Sequence, residues 1–232
     1  MSRHDEIQAG LARVRERIAS ACADVGRAPD EVGLVVVTKF FPASDVRILA
    51  ELGVTHLGEN RHQEAEAKAA ECADLDLTWH FIGGLQSNKA AAVAAYAGVV
   101  ESVDRRKLVA PLSKGAHQRS HPVDVLLQVS LDPPGRGQRS GAEPAELDDL
   151  AAAVDGAGML ELRGLMAVAP LGEDPAAAFG RLAAVRAEFL AQHPGASWLS
   201  AGMSGDLEHA IRAGATHVRV GSAVLGSRPQ NK

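Results

Sequence analysis

The segment Leu34-Val35-Val36-Val37-Thr38-Lys39-Phe40-Phe41-Pro42 decides the fold class. Its first half is apolar and β-branched, which predicts a buried strand. A doubly wound open sheet usually carries a glycine-rich turn after its first strand. Here Lys39 and two phenylalanines follow the strand instead. The segment therefore favours a closed barrel over an open sheet.

The rest of the chain alternates short apolar runs with longer helical stretches, as in a parallel sheet with crossover helices. Eight runs predict strands, at residues 34–38, 55–57, 78–82, 99–103, 123–130, 162–168, 197–200 and 217–220. The stretches between them predict helices at 43–52, 61–72, 87–95, 105–118, 144–154, 175–192 and 204–213, with a short turn from 222. Eight such units match the α/β class and a (β/α)8 TIM barrel, typically ~250 residues long.

An extra helix is predicted before the barrel, at about residues 4–25. Apolar residues recur there at steps of three and four, which is the helical period. They are Ile7, Leu11, Val14, Ile18, Cys22 and Val25. No linker-like stretch divides the chain, so we expect a single domain over residues 1–232.

Composition excludes several classes of function. Hydrophobic residues make up 46% of the chain and charged residues 23%, as in a soluble globular protein. The formal net charge of −5 argues against nucleic acid as a partner. Cys22 and Cys72 have neither metal-site nor disulfide-framework spacing, which fits a reducing compartment.

Neither a secretory signal nor a membrane span is predicted. The first residues are charged, and the longest apolar run, around residues 90–100, is too short to cross a bilayer. We therefore expect a cytoplasmic location and no membrane partner.

Functional groups of a barrel lie where its strands end. Lys39 follows an uncharged strand, so its amine would be partly desolvated, which favours the free base and Schiff-base chemistry. The alternative is a rim lysine that reaches solvent.

Ser204 and Ser222, with glycines beside them, follow the last two strands, where barrels often bind phosphate. The alternative is that both serines are helix N-caps.

Arg219 lies inside the last strand and must find hydrogen-bond acceptors. It either pairs with a carboxylate such as Glu59 or Asp104 or contacts a ligand. His56, His80 and His217 are interpreted as core histidines, and Met166 and Met203 as packing residues. A lysine facing a phosphate site suits pyridoxal 5′-phosphate (PLP), but a phosphosugar aldolase would use the same two features.

One long loop separates the fifth strand from the next helix. Residues 132–144, DPPGRGQRSGAEP, contain three glycines and three prolines. The loop is interpreted either as a mobile surface loop or as a cover for the site.

An ordered set of motifs resembles the pyridoxal phosphate homeostasis protein family, whose fold is similar to the N-terminal barrel of bacterial alanine racemase. The set begins with VVVTK at 35–39, LGEN at 57–60 and WHFIG at 79–83. It continues with SVD at 102–104, GLM at 164–166, GMS at 202–204 and VRVG at 218–221. The motifs run in order over nearly the whole chain.

The resemblance implies PLP as the cofactor and assigns its site residues. It implies that Lys39 carries PLP covalently as an internal aldimine and that Asn60 lies near the ring. It further implies that Ser204, Gly221 and Ser222 hold the phosphate and that Arg219 faces the pyridine nitrogen. No metal site and no catalytic residue is assigned.

Several positions depart from the family pattern. Ala201 stands where a bulkier Met is frequent, Ser222 replaces a common Thr, and Glu101 stands where His is frequent. Arg139 replaces a usual Lys in the loop after the fifth strand. This last change puts any role of that loop toward the cofactor in doubt.

The expected function is to carry or buffer PLP and to regulate PLP and amino-acid pools, without efficient catalysis. An Arg at the pyridine nitrogen does not supply the proton that an Asp would, so carbanion chemistry should be weak. In alanine racemase a tyrosine from a second domain of the partner subunit acts opposite the lysine. This chain has only Tyr96 and lacks the length for such a domain, so we expect a monomer. A PLP-dependent amino-acid racemase and a Schiff-base aldolase acting on a phosphosugar are the alternatives.

Overall fold

The structure is a computed structural model, and it describes residues 2–132 and 140–227. Strands and helices alternate along the chain as the sequence predicts. The strands are β1 (Gly33–Val37), β2 (His56–Glu59), β3 (Thr78–Phe81), β4 (Val99–Val103), β5 (Val123–Gln128), β6 (Leu160–Met166), β7 (Trp198–Ser200) and β8 (His217–Val220). The helices are α1 (Arg3–Ala23), α2 (Ala43–Glu51), α3 (His62–Glu71), α4 (Ala90–Ala94), α5 (Val109–Arg119), α6 (Leu147–Asp155), α7 (Pro175–Gln192), α8 (Leu207–Arg212) and α9 (Ser222–Leu225).

The eight strands close into a barrel in sequence order. Each strand is parallel to its neighbours, and β8 returns to pair with β1, which places Arg219 opposite Val35. The predicted (β/α)8 barrel with an N-terminal helix is confirmed. Since all strands run the same way, the residues that follow β1, β7 and β8 meet at one mouth of the barrel.

Small and branched apolar residues form the core, as the low aromatic content requires. Two clusters dominate it: one lies under α4 to α7, and the other lies between α1, α2 and the seam of β1 and β8. The barrel interior is not purely apolar, because His80, Glu101, Ser200 and Arg219 are all buried there. Of these four, Arg219 also lines the cavity described below.

Helix α1 lies across the closing seam of the barrel. Its first turn carries a capping box, in which the Asp5 N–H donates to Ser2 Oγ and the Ser2 N–H donates to the Asp5 carboxylate. Its buried stripe includes Ile7, Leu11, Val14 and Ile18. Gly10 allows α1 to approach α9 closely, since a Cβ there would lie 2.2 Å from the carbonyl oxygen of Val224.

Several element boundaries differ from those predicted, and two matter for the site. Strand β2 continues to Glu59 because Gly58 and Glu59 pair with His80 and Phe81. Helix α8 begins at Leu207 rather than at 204. There the carboxylate of Asp206 accepts the Met203 N–H at 2.6 Å and holds the preceding loop outside the helix.

Within residues 2–132 and 140–227, no helix combines the length with the apolar character that crossing a membrane requires. Cys22 and Cys72 are buried free thiols.

Candidate functional site

A cavity of about 270 Å³ opens at the barrel mouth beside the carboxyl ends of β1 and β8. Five of the six predicted site residues line it: Lys39, Ser204, Arg219, Gly221 and Ser222. Pockets for small ligands commonly measure about 300–1,000 Å³, so this volume suits a ligand built on a single ring. The structure thus brings together residues that lie far apart in the sequence.

Lys39 is half-buried and follows β1 in a tight turn. The turn is closed by the Phe41 N–H, which donates to the Thr38 carbonyl at 3.0 Å. Phe40 occupies the third position of this turn with a φ of 71°, in the left-handed region where glycine is usual. Lys39 Nζ lies 5.9 Å from the centroid of the Phe40 ring, and Arg61 covers the same ring at 4.8 Å.

The two serines after β7 and β8 converge on one side of the cavity. Their hydroxyl oxygens lie 3.5 Å apart, and Ser204 Oγ accepts the Ala223 N–H at 3.4 Å. Neither serine is an N-cap, because that position is Asp206 in α8 and Gly221 in α9. The capping interpretation of Ser204 and Ser222 is therefore wrong.

Arg219 enters the cavity from the barrel interior and is 3% exposed. Its Nη1 donates to Ser200 Oγ at 2.6 Å, and its Nη2 donates to the Ala167 carbonyl at 2.9 Å. The predicted carboxylate partners, Glu59 and Asp104, are wrong. The carboxylate near its guanidinium is Glu101, 3.6 Å from Nη1, because residue 101 points inward from the middle of β4.

Glu101 links this guanidinium to two neighbouring histidines, the buried His80 and the half-buried His56. It accepts hydrogen bonds from Ser200 Oγ at 2.6 Å and contacts His80 Nδ1 at 2.7 Å. His80 Nε2 in turn lies 2.9 Å from His56 Nδ1. Burial alone would raise the pKa of Glu101, but His80, Arg219 and Ser200 outweigh it and lower that pKa to about 2. Glu101 is thus held ionised beneath Arg219.

The remaining histidine of the interior, His217, lies at the start of β8. Its ring packs against Trp198, with centroids 4.6 Å apart, and its Nδ1 lies 2.9 Å from Thr216 Oγ1. Burial lowers the pKa of His217 to about 4, although Glu101 opposes the shift. Of the three residues interpreted as core histidines, His80 is buried, whereas His56 and His217 are half-buried.

Asn60 lies beside the mouth but outside the cavity lining. Its backbone packs against Gly83, where a Cβ would lie 2.2 Å from the Asn60 carbonyl oxygen. Its side-chain Oδ1 is buried and has no hydrogen-bond partner among the described residues. Met203 does not pack in the core as predicted, because it lines the cavity and is 40% exposed.

The loop after β5 is described only at its two ends. Arg139 lies outside the described residues. Beyond the gap, the Ala142 N–H donates to the Gln128 carbonyl at 2.7 Å, which ties the end of the loop to β5.

Comparison with known proteins places the barrel in a family. The family model "Alanine racemase, N-terminal domain" matches residues 11–229. The pyridoxal phosphate homeostasis protein of Mycobacterium leprae is 41% identical over 240 residues, covering 97% of this chain and 93% of that protein. The chain belongs to the pyridoxal phosphate homeostasis protein family. The resemblance of its motifs to that family is thereby confirmed.

Two further relatives support the assignment to the pyridoxal phosphate homeostasis protein family. The protein of that name from Pseudomonas aeruginosa is 43% identical over 222 residues, covering 96% of each chain. PipY of Synechococcus elongatus, solved with PLP bound, is 38% identical with a TM-score of 0.78. The match covers 90% of this chain and 100% of PipY.

Sequence reasoning missed three residues at the site of this family member. Glu101 was noted only as a departure from the family pattern. No role was predicted for Glu64 or Lys68 on α3, yet they contact the backbone on either side of Lys39. The available signal was their spacing of four residues, which places both side chains on one face of a helix.

Proposed function

We propose that this protein binds PLP covalently through Lys39 and carries or buffers it in the cytoplasm, without efficient catalysis. The observation that carries the proposal is the single cavity lined by Lys39, Ser204, Arg219, Gly221 and Ser222. Two relatives named pyridoxal phosphate homeostasis protein, and PipY with PLP bound, support the choice of ligand.

The residues of the cavity suit the two ends of this cofactor. PLP, when bound, supplies an aldehyde that condenses with a primary amine. Lys39 would hold it covalently through its ε-amine, and the hydroxyls of Ser204 and Ser222 would donate to the phosphate. Gly221 allows its backbone to lie close to that of Val37, because a Cβ at 221 would lie 3.2 Å from the Val37 carbonyl oxygen. Asn60 would contact the ring from the edge of the mouth.

Arg219 is the group that would face the pyridine nitrogen. A guanidinium does not release its proton near neutral pH, so it donates a hydrogen bond without protonating the ring. Glu101 supports the cationic form, although burial lowers the pKa of Arg219. A ring left unprotonated is a weaker electron sink, which argues against efficient racemisation.

Tyr96 does not supply the second acid or base that a racemase needs. It stacks on His62, with ring centroids 5.9 Å apart, on the side of the barrel near α3. Burial, with Glu59 and Glu66, raises the pKa of its hydroxyl well above the usual value.

We infer a single PLP-binding domain that acts as a monomer. The free thiols of Cys22 and Cys72 fit a reducing compartment.

An absorbance spectrum tests the proposed function. Wild-type protein incubated with PLP should gain a visible band, and borohydride should fix the cofactor on Lys39 in a peptide map. Lys39→Ala should lack both signals, while Lys114→Ala, which removes an exposed lysine of α5, should retain them. A colourless wild type would contradict the proposal, and a sugar adduct on Lys39 would point to the aldolase instead.

Deuterium exchange at Cα of alanine tests the absence of efficient catalysis. Exchange far below ordinary enzyme rates of about 1–1,000 per second is expected with the PLP-loaded protein. Exchange within that range would identify a racemase or a related PLP enzyme.

A further inference from the structure

A cluster of charged residues, two of them buried, lies directly behind the turn that carries Lys39. It consists of Glu59 at the end of β2 and Glu64 and Lys68 on α3. Lys68 Nζ donates to Glu59 Oε1 at 2.7 Å and to Glu64 Oε1 at 2.8 Å. The Glu59 and Lys68 side chains are 1% and 8% exposed, respectively. This ion cluster is separate from the residues that line the cavity, except that its charges reach the backbone at Lys39.

The ion cluster forms hydrogen bonds with the backbone on both sides of Lys39. On one side, Lys68 Nζ donates to the Thr38 carbonyl at 2.6 Å. On the other side, the Phe40 N–H donates to Glu64 Oε1 at 2.5 Å. The Thr38 hydroxyl adds a third link, because it donates to Glu59 Oε1 at 2.7 Å. Since Lys68 also donates to Glu64, the two flanking contacts belong to one hydrogen-bonded network, called the bracket below.

The turn needs such a bracket because its backbone is unfavourable for the residue it contains. Phe40 has a φ of 71°, and a bulky side chain rarely adopts a left-handed conformation without support. Strained backbone of this kind persists where its surroundings over-determine it, and it concentrates at ligand-binding positions. Here the strain lies one residue after Lys39, so releasing it would redirect the lysine side chain.

Stability alone gives a poor account of the ion cluster. Burying the charges of Glu59 and Lys68 is costly, and well-packed apolar residues in place of a buried ion pair are often as stable or more stable. Burial raises the pKa of Glu59, although Lys68 and Thr38 oppose the shift. Its Oε2 has no hydrogen-bond partner among the described residues. What the ion cluster does achieve is a fixed geometry for the turn.

We propose that Lys68 and Glu64 are positioning residues that hold the Thr38–Phe41 turn in its strained form and so aim the Lys39 amine into the cavity. This role rests on the proposed function, because it presumes that Lys39 binds PLP. Neither residue touches the cofactor in this account. Both act through the peptide groups of Thr38 and Phe40.

The main test compares PLP affinity, measured by absorbance titration, in a cycle of variants. Lys68→Met keeps the length of the side chain but removes the donor, and it should bind PLP about tenfold or more weakly. Phe40→Gly removes the strain, so a turn with glycine at 40 no longer needs the bracket. Adding Lys68→Met to Phe40→Gly should therefore change the affinity by less than about twofold relative to Phe40→Gly alone.

The outcomes separate this inference from the proposed function. Failure of the wild type to bind PLP would contradict the proposed function. If the wild type binds and Lys68→Met, folded by circular dichroism, binds within about twofold of it, only the positioning role is overturned. The positioning role is also overturned if Lys68→Met weakens PLP binding by the same factor in the wild type and in Phe40→Gly. Lys114→Met, on the exposed face of α5, is the matched control and should bind as the wild type does.

A second pair of variants keeps the test decisive if Lys68→Met does not fold. The Glu64 side chain is 24% exposed and tolerates replacement more readily. Glu64→Ala removes the acceptor for the Phe40 N–H, whereas Glu64→Gln keeps a carbonyl oxygen there. Glu64→Ala should weaken PLP binding about tenfold, and Glu64→Gln should recover most of that loss. Equal PLP affinity of the two variants would overturn the proposal.

Discussion

At the scale of single residues, the charge pair beneath the cavity is the most consequential. Glu101 is fully buried, and its negative charge balances a guanidinium that is almost fully buried. Removing one partner of a buried pair leaves the other charge uncompensated, which costs far more than the pair itself contributes. Arg219 therefore depends on Glu101 for its countercharge.

Glu101→Gln should lower the free energy of unfolding by about 3 kcal/mol, because it leaves Arg219 without a countercharge. Glutamine keeps an acceptor for Ser200, so the loss isolates the charge. Urea denaturation at pH 7 measures it. The control is Glu208→Gln, which breaks a partly exposed pair with Arg17 and should cost less than about 1 kcal/mol. Equal losses in the two variants would show that Arg219 does not need the carboxylate.

His217 predicts how stability depends on pH. Its folded-state pKa of about 4 lies below the usual 6.5, so folding favours the neutral ring. The stabilisation is complete above about pH 6.5 and is lost as the pH falls toward 4, by about 3 kcal/mol in all. His217→Gln should flatten this part of the profile of unfolding free energy against pH. His121→Gln, at an exposed position, should leave the profile unchanged, and a steep profile in His217→Gln would contradict the assignment.

Residues that follow a strand could be located from the sequence, but their partners could not. Lys39, Ser204 and Ser222 were found because strand ends in a parallel barrel share one mouth. The predicted partner of Arg219 was wrong because Glu101 lies within an apolar run, and the pairing of β4 with β5 is irregular between Val100 and Val103. A local irregularity of that kind leaves no periodic signal.

At the scale of elements, the contact between α1 and α9 couples the added helix to the site. Helix α9 starts with Ser222 of the cavity, and Gly10 of α1 packs against its Val224. The added helix therefore supports the backbone from which one of the two converging hydroxyls projects.

Gly10→Ala should destabilise the fold even though alanine is the better helix former. The gain in helix propensity is about 1 kcal/mol, but a Cβ placed 2.2 Å from the Val224 carbonyl forces α1 and α9 apart, at about 1–3 kcal/mol. Gly180→Ala in α7 is the control, since beyond the chain next to it nothing lies within 4 Å of the added Cβ. Thermal unfolding should show a lower Tm for Gly10→Ala and an equal or higher one for Gly180→Ala. An unchanged Tm in Gly10→Ala would argue against this close contact.

Long amphipathic elements were predictable, while short elements next to the site were not. The apolar period of α1 locates it within a few residues of Arg3–Ala23. Helix α8 is six residues long, and the Asp206 side chain at its N-cap accepts the Met203 N–H of the preceding loop. For that reason Ser204 lies in a loop, where its hydroxyl is directed by tertiary contacts and not by helix capping.

At the scale of the whole molecule, the site spans the seam that closes the barrel. Lys39 follows the first strand, whereas Ser204 and Ser222 follow the last two, and β1 pairs with β8 along this line. A ligand bonded to Lys39 and held by the two serines would link the beginning of the barrel to its end. Such a link would oppose the separation of β1 from β8, which any global unfolding requires.

PLP binding should therefore stabilise the entire barrel and not merely its mouth. At a free concentration of one hundred times Kd, the free energy of unfolding should rise by about 2.7 kcal/mol, because only the folded chain forms the site. Hydrogen exchange should slow in β1 and β8, at residues such as Val36 and Val220, whose backbones pair across the seam. Lys39→Ala should show neither effect at the same PLP concentration. Slower exchange confined to the loops of the mouth, with β1 and β8 unaffected, would mean that PLP binding does not stabilise the pairing of β1 with β8.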